Sequence, residues 1–111
     1  FGLSPDSPVP HAHNHLLQAA LDVGVPGLLA YLALWGITAS VLLRVGRHAP
    51  ERAHRAIAAG LGAGLLAHFV FGMTDVIPLG AKVGVLFWLS LALAVGLARV
   101  ALPPQSRVPA P

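Results

Sequence analysis

The 111 residues (11.4 kDa) are 56% hydrophobic and only 10% charged, with a mean hydropathy of +0.75. A soluble domain carries roughly 25% charged residues, so this composition argues against a water-exposed globule and for a membrane protein. Seven Lys+Arg against four Asp+Glu give a net charge of +3, but these bases are few and interleaved with apolar runs, which argues against a nucleic-acid partner. The absence of cysteine excludes disulfides, thiolate nucleophiles and Cys-based metal centres.

The chain opens at Phe1 without a basic segment ahead of a short apolar stretch, so no signal peptide is visible and a piece of a longer chain is expected. Residues 1–22 are expected to form a loop and a short interfacial helix. On a helical projection His11, Asn14, His15, Gln18 and Asp22 share one face, while Leu16, Leu17, Ala20 and Leu21 occupy the other. His13 leaves that polar face. Either the helix begins at Asn14, a good capping residue, or His13 turns inward.

Three membrane spans are expected within residues 23–101. Val23 to Leu43 carries no formal charge and, as a helix of roughly 31 Å, matches the hydrocarbon thickness of a bilayer. A basic loop then holds Arg44, Arg47, Arg52 and Arg55 around Glu51, with Pro50 able to break a helix. Ala56 to Thr74 forms the second span, interrupted only by His68 and ended by Asp75. A neutral His68 bonded to a neighbouring helix is expected, and Asp75 reads as a helix-boundary residue. Pro78 and Gly80 turn the chain into a third span over about residues 80–98, with Lys82 near its start. Residues 102–111, rich in proline, read as a disordered tail. The architecture is therefore all-α, a polytopic helical segment with three spans. Within the second span Ala59, Gly60, Gly62, Ala63, Gly64 and Ala67 are expected to let another helix approach closely.

The bases set an orientation. If the first span runs inward, the cytoplasmic side collects Arg44, Arg47, Arg52, Arg55, Arg99 and Arg107, and the outer side keeps only Lys82. The tail is then cytoplasmic and the histidine cluster lies outside.

Three readings of His11, His13 and His15 stand side by side. They can be surface histidines in a loop. In an extended conformation they can present three imidazoles to one metal ion, although no carboxylate stands at a matching position and the leucine spacing from Leu16 onward is helical. They can also supply a base, since an imidazole takes a proton from a hydroxyl near neutral pH.

His13-Asn14, nine residues, then Gly24-Val25-Pro26-Gly27 resembles the signature of the O-antigen ligase and polymerase superfamily: His, a polar residue, nine residues, then Gly-x-x-Gly. Leu17-Gln18 and an acidic residue two before Gly24 extend the likeness, with Asp22 where the family usually has Glu. Phe71-Gly72-Met73-Thr74-Asp75, followed by a helix with Phe87-Trp88, is similar to the family's Gly-x-x-Asp turn before its last spans.

The resemblance implies the C-terminal part of a multi-pass bacterial inner-membrane glycosyltransferase. Such an enzyme moves a glycan from an undecaprenyl diphosphate carrier to an acceptor at the periplasmic face. The acceptor is lipid A-core in ligases, another carrier-linked repeat in polymerases and a protein hydroxyl in relatives. The family acts without a metal, so no cofactor is expected. His13 becomes the base, with His11, Asn14, Gln18, Asp22 and Lys82 as binding or orienting residues and Gly24, Pro26 and Gly27 as structural ones. Expected partners are the lipid-linked donor, the acceptor, membrane lipids and upstream helices of the same protein. Arginines suit a diphosphate best, yet all six here map to the other side, which leaves Lys82 and upstream segments to supply positive charge. The alternative from another class is a non-catalytic membrane module whose histidines are exposed or bind metal.

Overall fold

A computed structural model describes residues 14–74 and 84–102. The described residues form three α-helices: α1 (His15–His48), α2 (Arg52–Gly72) and α3 (Gly84–Ala101). Each is long and apolar enough to cross a membrane. Leucine and alanine, which lose little entropy in a helix, dominate all three, and in lipid a helix satisfies every backbone polar group within its own segment. The hydroxyls follow the same rule: Thr38 donates to the Leu34 carbonyl (2.8 Å) and Ser90 to that of Leu86 (2.7 Å).

Helix boundaries differ from expectation at the basic end. α1 continues through Arg44 and Arg47 to His48, and α2 starts at Arg52, so the basic loop expected over 44–55 contracts to Ala49, Pro50 and Glu51. The cause is packing as well as propensity. Val45 and Ala49 are buried, arginine is a good helix former, and Pro50 makes the stop. Arg55 reaches back across this turn, its Nη1 donating to the carbonyls of Ala49 (3.0 Å) and Pro50 (3.4 Å). α3 also outruns its expected end. The Leu102 amide still donates to Ala98, and its side chain packs on the core although it was assigned to the tail. Residues 80–83, where the third span was expected to begin, and 103–111 lie outside the described residues.

Ring contacts give the helix directions. Tyr31 and Trp35, in the first half of the stretch of α1 that follows Gly24, meet His68 and Phe69 near the end of α2 and Phe87 near the start of α3. The helices therefore run up, down and up, and the ends of α1 and α2 that carry Arg44, Arg47, Arg52 and Arg55 lie together. Few apolar side chains are covered. Leu21 (75% exposed), Leu29, Ile37, Leu66, Leu86 and Leu93 all point outward. In water such a surface would be a liability; it is the surface a bilayer solvates.

α1 is two helices joined at a reversal. Gly24 has φ 70° and ψ −178°, a region open essentially only to glycine. On an unbroken helix residues 15 and 35 would lie roughly 30 Å apart. Here the rings of His15 and Trp35 stack at 6.4 Å, with 13° between their planes. Residues 15–23 therefore fold back against the first turns of the long arm, residues 25–48, as a short half-helix. The short helix expected ahead of the first span is present, and it returns along that span.

Candidate functional site

The half-helix starts where its first polar residue can cap it. Asn14 is extended (φ −158°, ψ 119°), and its Oδ1 accepts from the amides of Leu16 (2.9 Å) and Leu17 (3.3 Å). This settles where the helix begins: at Asn14, one residue after His13 in the chain. One turn on, Gln18 Nε2 donates to Asp22 Oδ1 at 2.7 Å, so the two polar residues expected on one face are joined along the exposed side. At the other end Gly24 makes the reversal and Pro26 enters the first turn of the long arm, where its missing amide hydrogen costs nothing. A Cβ at Gly27 would collide with the Val23 side chain, so the second glycine lets the two arms close on each other.

His15 corrects the expected polar face. It is 7% exposed, while Leu17 and Leu21 are open to the surroundings. The reversal at Gly24 is the reason: it gives the His15 and Ala19 side of the half-helix a protein surface to pack on and leaves the leucines for lipid. The His15 ring meets Tyr31 edge-on (5.7 Å), Trp35 face-on and Phe69 edge-on (5.1 Å). It also lies directly on Gly72, where an added Cβ would overlap the imidazole.

Around this contact gathers a ring cluster drawn from all three helices. Trp35 touches Phe69 and Phe87 (5.0 and 5.2 Å), and His68 stacks on Phe87 at 5.6 Å and on Trp35 at 6.1 Å. His68 thus meets its neighbours through its ring faces. Phe87, 2% exposed, closes the cluster from α3. Two polar atoms in the cluster, His15 Nε2 and Trp35 Nε1, are buried with no hydrogen-bond partner among the described residues.

Two sequence readings miss this arrangement. Among the described residues the close approach expected at Gly60, Gly62 and Gly64 is not made, since none of their heavy atoms stands within 4 Å of a Cβ placed at any of the three; of the described glycines of α2 it is made by Gly72. The aromatic residues at 31, 35, 69 and 87 also escaped notice as a set. The i, i+4 spacing of Tyr31 and Trp35, which puts both on one helix face, was the available signal. Of the proposed site residues, His11, His13 and Lys82 lie outside the described residues, as does Asp75. Among the described residues no three histidine or carboxylate side chains converge as metal ligands.

No protein-family model, no curated protein and no solved structure matches the chain.

Proposed function

We propose that this membrane protein forms part of an O-antigen ligase-like glycosyltransferase, with His13 as the base that activates the acceptor. The observation that carries the reading is a convergence. The stretches that resemble that superfamily, His13 to Gly27, Phe71 to Asp75 and the helix with Phe87-Trp88, are far apart in sequence. In the fold His15 lies on Gly72, and Tyr31 and Trp35 bring Phe87 to the same cluster. The motif positions also have physical work that fits their residue types. Asn14 caps, Gly24 reverses the chain and Gly27 admits Val23.

The chemistry asks little of the protein beyond placement. The acceptor hydroxyl attacks the anomeric carbon, its proton passes to the His13 imidazole, and the bond from that carbon to the carrier's diphosphate oxygen breaks as undecaprenyl diphosphate leaves. Charge develops on the diphosphate, so cations must stand near it. Lys82 is one candidate, and arginines from further membrane segments of the same enzyme are the others. On this reading the motif faces the periplasm of a bacterial inner membrane, as the grouping of arginines at the opposite end favours. Lipid A-core is the acceptor in the ligase form of the proposal, and a second carrier-linked glycan in the polymerase form.

The test is glycan transfer in membranes that carry the intact enzyme, a lipid-linked donor and an acceptor. His13→Ala is expected to lower transfer by about 10² or more with insertion unchanged, and chelators to leave it unaffected. Equal losses at His11, His13 and His15, with stoichiometric bound metal, would overturn the base assignment in favour of a metal site.

A further inference from the structure

A groove of about 540 Å³ runs between α1 and α2, away from the ring cluster's histidine side. Trp35 and Phe69 close its inner end, and the small residues Ala39, Gly46, Ala58 and Gly62 form its walls. At the outer end stand two cations, Arg47 from α1 and Arg55 from α2, both exposed. The rest of the lining is apolar.

We propose that this groove holds an anionic phospholipid, one acyl chain lying along α1 and α2 and the phosphate seated between Arg47 and Arg55. From residue 35 to residue 47 the groove is roughly 18 Å long, close to the ~15 Å that one leaflet contributes to the hydrocarbon core. An extended hydrocarbon chain is slender enough to enter.

Charge makes the same selection. Arg44, Arg47, Arg52 and Arg55 crowd this end, and the one acid among them, Glu51, sits 3.6 Å from His54 Nδ1. Arg55 is held in place by its bonds to the Ala49 and Pro50 carbonyls, made through Nη1 alone, and a guanidinium has five donors to give. Basic pockets between membrane helices are a recognised seat for anionic headgroups, and a pre-positioned arginine loses little freedom on binding one. This proposal is independent of glycosyl transfer and needs only that the helices lie in a membrane.

Trp35 at the inner end is a built-in reporter. Trp88→Phe leaves it as the single tryptophan of the 111 residues, any tryptophan outside them being changed to phenylalanine as well, and the protein is reconstituted into phosphatidylcholine bilayers containing a minor lipid brominated along its acyl chains. Brominated phosphatidylglycerol is expected to quench Trp35 at about 25-fold lower mole fraction than brominated phosphatidylcholine. Each arginine contributes about fivefold, so Arg47→Gln with Arg55→Gln removes the preference. Arg44→Gln with Arg52→Gln removes equal charge from the same end outside the lining and keeps it. Because Arg55→Gln also loses the bonds across the turn, Gly62→Leu gives a second route. It fills the groove where a Cβ meets nothing within 4 Å, leaves both arginines in place, and should abolish the preference too. Equal quenching by the two lipids would overturn the proposal, as would equal losses in the two double-arginine variants, the mark of diffuse surface attraction. Weak quenching by both lipids, with Gly46→Cys cross-linking to a second copy, would assign the groove to a helix and overturn it as well.

Discussion

Gly72→Ala adds one methyl group at the point where the half-helix meets the end of α2. The new Cβ would overlap Nδ1 of His15 and stand 2.6 Å from Cε1 and 2.8 Å from Cγ, against the ~3.5–4.0 Å of a normal contact, so the ring must retreat by about 1.5–2 Å. It has no easy direction, with Tyr31, Trp35 and Phe69 around it. Overpacking of this kind costs about 1–3 kcal/mol, which raises the population with residues 15–23 undocked by roughly 5- to 150-fold. Amide hydrogen exchange between Gln18 and Asp22, in the protein held in detergent or nanodiscs, reads that opening directly. The decisive comparison is a double-mutant cycle. His15→Ala alone loses three ring contacts worth about 0.5–1.5 kcal/mol each and speeds exchange on its own. In that background the Gly72 methyl enters vacated space, and the second substitution should cost about 0.5 kcal/mol or less. If Gly72→Ala costs the same with and without the imidazole, the contact is not what docks the half-helix, and the convergence of the separated motifs loses its physical meaning.

Gly24→Ala forces a side chain into a backbone region reserved for glycine and should weaken the reversal by about 1–3 kcal/mol, seen as lengthened spin-label distances between positions 17 and 33. Pro26→Ala, in the first helical turn, should change the same distances little. Asn14→Ala removes the cap of the half-helix and should cost about 1 kcal/mol in its exchange protection, whereas Asn14→Asp should retain it. Single cysteines at Ser7 and Arg52 should react with a membrane-impermeant reagent from opposite sides, Ser7 from outside; labelling of both in intact spheroplasts would refute the orientation.

Hydropathy made the three spans legible because lipid imposes one rule along their whole length, and the run from Val23 to Leu43 carries that rule without interruption. The cap at Asn14 and the bend at Gly24 were legible for a similar reason: each is local backbone chemistry. His15 was not, because a helical projection assumes that water covers the polar face, and the reversal at Gly24 supplies protein there instead. The glycines of α2 were misjudged on similar grounds. Small residues permit close approach but do not choose where it happens, and Gly72 was chosen by the ring that lands on it. The ends at His48 and Arg52 were set by tertiary burial of Val45 and Ala49, a term that no charge count contains.

The fold-back at Gly24 also fixes an order of events during synthesis. Residues 15–23 emerge before the arm they fold against, and at about 14 Å in helical form they are too short to cross a bilayer by themselves. Part of their seat, Tyr31 and Trp35, follows at once, but Phe69 and Gly72 arrive only with the end of α2, and Phe87, which backs Tyr31 and Trp35, arrives with α3. A segment made before the long arm is thus completed by helices made after it. A nascent protein stopped before its third helix has inserted most of its apolar length but lacks the ring wall behind its histidine.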